Sequence, residues 1–101
     1  MTQDNFSSTA TFPLSDPMRL IRRLCKHWAH KITTEYSDQE GFVDFGDHKT
    51  AKLYAANGTI TIKIKTPTSN DLKTIQNVVE SHVIRMIPEE EISKIEWELS
   101  I

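Results

Sequence analysis

Residues 49–65 read KTAKLYAANGTITIKIK, and this stretch decides the fold. Asn57 and Gly58 form the preferred central pair of a type I′ turn, which joins two antiparallel strands into a hairpin. In that register, residues whose numbers sum to 115 oppose one another, and one face of the hairpin is entirely apolar. That face carries Ala51, Leu53, Ala55, Ile60, Ile62 and Ile64. A slip of one residue would expose all of them, so the sequence predicts one buried face and a fixed register.

Two amphipathic helices flank this hairpin. The run SDP at 15–17 indicates a helix start, because a capping side chain precedes a proline whose missing N–H costs nothing there. We expect this first helix to run to about His30. Residues 66–71 stop the strand and cap a second helix, which is expected to end at Ile87, just before a proline. The apolar stripes consist of Leu20, Ile21, Leu24 and Trp28 on the first helix and of Leu72, Ile75, Val79, Val83 and Met86 on the second.

Four further segments indicate strands, namely residues 9–14, 32–36, 41–45 and 95–101. The predicted order is β-α-β-β-β-β-α-β. A single sheet with both helices on one face satisfies every apolar face. We therefore expect an α+β two-layer sandwich, with a mainly antiparallel sheet and two antiparallel helices. Residues 1–6 are expected to form a disordered tail and residues 7–101 a single domain.

Composition narrows the class of protein. The chain has 101 residues, 38% hydrophobic and 26% charged, which is typical of one globular domain. It has one cysteine, a polar start without the features of a signal peptide, and no apolar run long enough to span a membrane. We therefore expect a cytoplasmic protein without a membrane partner. The net charge of −2 and the absence of a binding motif argue against nucleic acid as a partner.

Charge is uneven along the chain. Residues 17–31 contain five Lys or Arg, two His and no acidic residue, whereas residues 89–91 are all glutamate. Arg22, Arg23 and Lys26 fall away from the apolar stripe of the first helix, on its solvent side. A solvated basic helix explains this pattern without any function. A binding surface explains it too, with Arg23 and Lys26 as ligand-contacting residues.

Three histidines could form a metal site. His27 and His30 are three residues apart on the first helix, and His82 lies on the second. His27 and His82 lie about 60° to the same side of their apolar stripes, so in antiparallel helices both face the seam or both face away. If they face the seam, the three imidazoles could hold zinc, iron, nickel or copper. Boundary packing and acid–base catalysis are the alternative interpretations of these histidines.

Signals for other chemistry are missing from the sequence. There is no phosphate-binding glycine loop and no Gly-x-Ser-x-Gly elbow. No orienting carboxylate accompanies His27 or His82, so an enzyme is the least supported of the functional hypotheses. Cys25 lies inside a helix, about 100° from the stripe centre, without the helix N-terminus that would activate a thiolate. We expect it to be a packing residue at the boundary of the core.

These residues also carry a family resemblance. The run RLIRRLCKHWAHK at 19–31, the run VVESHVIRM at 78–86 and the residues IEW at 95–97 resemble the bacterial family called domain of unknown function 2218. The resemblance covers residues 9–98, although the chain has Met86 and Ile87 where that family is expected to have Phe-Ala. It implies that the characteristic positions are Cys25, His27, His30 and His82, and it makes Cys25 a candidate ligand-contacting residue. It also implies an association with siderophore-interacting reductases, and hence with iron.

The resulting prediction is a small accessory domain that binds a ligand or a transition metal through the histidine-bearing helix face. Its expected metal ligands are His27, His30 and His82, and its expected partner is a protein such as a siderophore-interacting reductase. The alternative is a protein-interaction module that uses the basic first helix without metal. An enzyme with His27 or His82 as general base ranks last.

Overall fold

The predicted hairpin lies at the centre of an antiparallel sheet. A computed structural model describes residues 6–87 and 95–100 of the chain. It contains β1 Phe6–Pro13, α1 Pro17–Trp28, β2 Thr33–Tyr36, β3 Glu40–Gly46, β4 Lys49–Ala56, β5 Thr59–Thr66, α2 Ser69–Met86 and β6 Glu98–Ser100. Within these residues the sheet has six strands in the order β2-β3-β4-β5-β1-β6, and every neighbouring pair is antiparallel. The α+β class and the order of elements are as predicted.

The register of the hairpin is also confirmed. Leu53 pairs with Ile62, and Lys52 pairs with Lys63 on the opposite face. Asn57 and Gly58 have φ values of 51° and 73°, as a type I′ turn requires. The apolar face is buried and the polar face is open to solvent, because alternate side chains of a strand point to opposite sides of the sheet.

Local side chains fix where both helices begin. The Asp16 carboxylate accepts a hydrogen bond from the backbone N–H of Arg19 at 3.1 Å, and α1 then starts with proline. The Thr68 hydroxyl accepts a hydrogen bond from the backbone N–H of Asp71, also at 3.1 Å. Each cap satisfies an N–H group that has no partner within its own helix.

Both helices cover the apolar face of the sheet and share one core with it. Helix α1 packs over β2, β3 and β4, and α2 packs over β5 and β1. Gly41 on β3 lies directly beneath α1. A Cβ atom at this position would lie 2.6 Å from Cγ2 of Ile21 and 3.1 Å from Sγ of Cys25, so only glycine lets the helix approach this closely.

Several boundaries differ from the prediction. Helix α1 ends at Trp28 rather than about His30, and β1 begins at Phe6, earlier than expected. Strand β6 spans Glu98–Ser100, which pair with β1, and therefore begins three residues later than predicted, while Ile101 lies outside the described residues. The predicted disordered tail at 1–6 is wrong at Phe6, which pairs with Thr66 as the first residue of β1. Residues 1–5 of that tail and the acidic run at 89–91 lie outside the described residues. No helix in the described part of the chain is long and apolar enough to cross a membrane.

Candidate functional site

The two helices lie side by side and run in opposite directions. Arg23 of α1 lies beside Met86 of α2, with its guanidinium donating a hydrogen bond to the Met86 carbonyl at 3.2 Å. One turn further along α1, the ring centroids of His27 and His82 are 4.9 Å apart. Moving forward along α1 therefore means moving backward along α2. The predicted antiparallel arrangement holds, and both histidines face the seam between the helices.

His82 is held in a defined orientation within this seam. Its Nδ1 lies 2.7 Å from the carbonyl oxygen of Val78. A carbonyl can only accept, so Nδ1 carries the hydrogen, and in the neutral ring Nε2 keeps its lone pair. The ring also lies against Trp28, with centroids 5.2 Å apart, and Trp28 contacts Phe45 edge-on. We call the contact between His27, Trp28 and His82 the histidine seam.

The third predicted metal ligand is not part of this contact. His30 lies beyond the end of α1 and is exposed. Within residues 6–87 and 95–100, no three or more His, Cys, Asp or Glu side chains are grouped so that they could hold a metal ion. The structure thus brings together His27 and His82 but not His30.

Cys25 is fully buried rather than at the boundary of the core. The prediction placed it on the flank of the helix, but β2 and β3 extend beneath that flank and Gly41 brings the sheet close. Its Sγ lies 3.8 Å from the Glu35 carbonyl. Burial raises the pKa of the Cys25 thiol, although a backbone hydrogen bond from Phe42 opposes this. A buried, protonated thiol makes Cys25 a packing residue and not a contact for a ligand from solvent.

The other two predicted ligand contacts differ in position. Lys26 is exposed on α1 and does not line the cavity that Arg23 lines. Arg23 lines a cavity of about 320 Å³ at the end of the helix layer where α1 begins and α2 ends. We call this cavity the arginine pocket. Its lining residues are Leu14, Ser15, Asp16, Arg19, Leu20, Arg23, Arg85, Met86 and Ile87.

The arginine pocket has an excess of positive charge. Arg19 and Arg23 lie one turn apart on α1, and Arg85 comes from α2. Asp16 is the acidic residue in the lining, and one of its oxygens is engaged by the cap of α1. Among the described residues, the ion pair found is the one between Lys49 and Asp47. No carboxylate of these residues therefore lies within 4.0 Å of the three guanidinium groups. One Arg23 donor is directed to Met86, which leaves most of its five N–H groups available.

Sequence reasoning missed Arg19 and Arg85. The signal was present, because Arg19 and Arg23 are spaced i and i+4 on the first helix. The numbers of residues that meet across the seam sum to 109, as in the pairs Arg23–Met86 and His27–His82. This relation places Arg85 opposite the turn of α1 that carries Arg23. Applying the predicted antiparallel arrangement to arginines as well as histidines would have located the pocket.

Comparisons with known proteins extend over almost the whole chain. The model of a bacterial family described as "Uncharacterized protein conserved in bacteria (DUF2218)" matches residues 9–98. The chain is also similar to the NMR structure of PA4090 from Pseudomonas aeruginosa, with 35% sequence identity and a TM-score of 0.78. That match covers 92% of this chain and 95% of the other. No curated protein matches the chain.

Proposed function

This chain belongs to the bacterial DUF2218 family, and we propose that it is a binding domain that holds a carboxylate or phosphate group in the arginine pocket. The observation that carries this proposal is the convergence of Arg19, Arg23 and Arg85 from two helices on one cavity. A guanidinium group presents planar paired N–H donors that match the oxygens of a carboxylate or a phosphate. Three such groups around one volume favour an anion over a neutral or cationic ligand.

The surroundings of the guanidinium groups support binding rather than self-neutralisation. Within the described residues, none of the three arginines forms an ion pair with a carboxylate of the chain. The bond from Arg23 to the Met86 carbonyl fixes one guanidinium against the end of α2, which lowers the entropy cost of binding. Leu20 and Met86 add apolar walls, so a ligand with an apolar body next to its anionic group would fit.

The same residues favour binding over catalysis. The described lining of the arginine pocket contains no His, Cys, Lys or Tyr. Efficient general acid–base chemistry needs a group that titrates near neutral pH, and arginine does not. The anionic group could belong to a small molecule or to an acidic side chain of a protein partner. The siderophore-interacting reductase expected from the resemblance would bind through such an acidic side chain.

Calorimetric titration with phenyl phosphate and succinate, in a buffer without other polyvalent anions, tests this proposal. We expect binding to the wild type and at least a tenfold loss of affinity in the Arg19→Gln/Arg85→Gln double variant, because each lost charge-assisted hydrogen bond costs about 1.5–3 kcal/mol. Arg22→Gln is the matched control, since Arg22 is exposed on α1 and does not line the pocket. Equal losses in both variants would show unspecific attraction to a basic helix and contradict the proposal.

A second candidate function is transition-metal binding at the histidine seam. The 4.9 Å separation of the two rings favours it, as does the lone pair that the Val78 hydrogen bond leaves on His82. Imidazole suits zinc, nickel and copper, and two ligands from the protein leave other positions for solvent or an exogenous ligand. An iron role rests on the same pair and on the family resemblance. His30 would not contribute, because it lies outside the seam.

Titration with zinc and with ferrous iron under anaerobic conditions tests this second candidate. Binding that is lost in His27→Gln and in His82→Gln, but kept in His30→Gln, would support a two-histidine site. The three variants change the same residue type, so they share any general effect of removing an imidazole. Equal binding by all three variants would rule out the seam as the metal site.

A further inference from the structure

A second cavity lies along the other part of α2, where the sheet ends. Its volume is about 300 Å³, at the lower end of the range of small-molecule pockets. It lies between the first half of α2 and the strands β1 and β6. The residues around it include Phe6, Ser69, Leu72, Lys73, Trp97 and Leu99.

Two polar side chains beside this cavity are already engaged in hydrogen bonds. The Trp97 indole N–H donates a hydrogen bond to the Glu80 carboxylate at 2.9 Å. The Gln76 amide donates one to the Ser8 hydroxyl at 2.7 Å. These two bonds hold the indole ring and the amide in place. A ligand in the cavity would therefore contact Leu72, Trp97 and Leu99. Leu99 is 64% exposed.

One cationic group lies at the mouth of the cavity. Lys73 follows Leu72 on α2 and is exposed. Among the described residues, no carboxylate lies within 4.0 Å of its ammonium group. Ser69 lies one turn earlier on α2 and also lines the cavity. An apolar volume beneath a single ammonium group is complementary to a molecule with an apolar chain and one anionic end.

We infer that this cavity binds a free aliphatic carboxylate, with its chain against Leu72, Trp97 and Leu99 and its carboxylate at Lys73. The inference does not rest on the proposed function, because it shares no residue with the arginine pocket. The lining favours an apolar chain over a polar one, since the Trp97 N–H and one Gln76 N–H are engaged within the chain. A second copy of the chain, joined along the open edge of β6, is the competing occupant.

A series of straight-chain acids measures the chain contact. We expect affinity to rise about fourfold for each added methylene from butanoate to octanoate, which corresponds to about 0.8 kcal/mol for each buried CH₂. The rise should level off once the cavity is full. Each acid is kept below its aggregation concentration and is followed by the NMR signal of the Trp97 indole. The Trp28 indole signal should stay unchanged, because Trp28 lies in the histidine seam.

Two matched pairs of variants test the contacts. Lys73→Gln should reduce octanoate affinity severalfold and leave 1-octanol unaffected, whereas Lys52→Gln on the bare face of the sheet should change neither. Leu99→Ser should weaken octanoate binding about tenfold. Ile84→Ser should not, because Ile84 is an exposed apolar residue on α2 that does not line the cavity. Affinity that is independent of chain length would overturn the inference. So would a wild-type dimer that Leu99→Ser converts to a monomer, because a second copy would then fill the cavity.

Discussion

The arginine pocket and the histidine seam are formed by the same two helices and lie one helical turn apart. Both contain basic side chains. In the pocket, three arginines line a cavity of about 320 Å³, and none of them forms an ion pair with a carboxylate of the described residues. In the seam, two imidazoles lie 4.9 Å apart and one of them packs on Trp28. The first region is a cavity lined by charged side chains, and the second is a contact between aromatic rings.

This difference shows that residue type alone does not define a site. Histidine is often considered first as a metal ligand, yet here the His82 ring packs against the rings of Trp28 and His27. Arginine on a helix surface is usually a solvated residue, yet here three of them converge because the helices are antiparallel. The space that packing leaves between side chains separates a binding region from a structural one. Substitutions that affect both regions, or only one of them, test this contrast.

Gly41→Val should have the largest effect, because both regions require α1 to rest on this glycine. A Cβ atom would lie 2.6 Å from Ile21, so the helix must move away from the sheet. We expect the free energy of unfolding to fall by about 3 kcal/mol, at the upper end for overpacking. Urea denaturation measures this, with Glu40→Val on the same strand as a control that should stay within about 0.5 kcal/mol. Equal stabilities for the two variants would show that α1 does not depend on Gly41.

His82→Ala should reduce stability by about 1 kcal/mol, because it removes the ring that packs on Trp28 and His27. His82→Phe keeps a ring there and should recover most of the loss. His27→Ala should cost less than about 0.5 kcal/mol, since His27 is exposed. Thermal or urea unfolding of the three variants provides the comparison. If His82→Phe were as unstable as His82→Ala, the seam would depend on the imidazole nitrogens rather than on packing.

Stability should fall slightly at alkaline pH because of Cys25. Burial raises the pKa of its thiol in the folded protein above the value in the unfolded chain, near 9.0. As pH rises through that value, the unfolded chain loses its proton first, so the folded state loses stability progressively until pH passes the folded pKa. The slope cannot exceed about 1.4 kcal/mol per pH unit for one proton. Cys25→Ala should remove this contribution in urea unfolding from pH 8 to 10.5, and an unchanged slope in that variant would contradict it.

The sheet and the helices followed from the sequence because their signals are local. The asparagine–glycine turn and the alternation around it fix a register that pairs Leu53 with Ile62. The matching positions of His27 and His82 on their helices followed too, since angles around a helix are set by residue spacing. Whether both face the seam or both face away did not follow, and the structure shows that they face the seam. The family resemblance was equally readable, and the match over residues 9–98 confirms it.

The arginine pocket did not follow, because it depends on where two helix ends meet. The sequence shows that Arg19 and Arg23 share a face, but Arg85 lies more than sixty residues away. Only the axial position of α2 against α1 brings these groups to one cavity. The burial of Cys25 was missed for a similar reason. It depends on how far β2 and β3 extend beneath α1, and on the closeness that Gly41 permits.

The most direct test of the contrast between the two regions is an NMR titration of ¹⁵N-labelled protein with phenyl phosphate. It follows the side-chain Nε–H signals of the arginines and the indole signals of Trp28 and Trp97. We expect saturable shifts for Arg19, Arg23 and Arg85, no shift for Arg22 or the Trp28 indole, and loss of the response in Arg85→Gln. Shifts of equal size for Arg22, or shifts centred on Trp28, would contradict the assignment of binding to the arginine pocket and packing to the histidine seam.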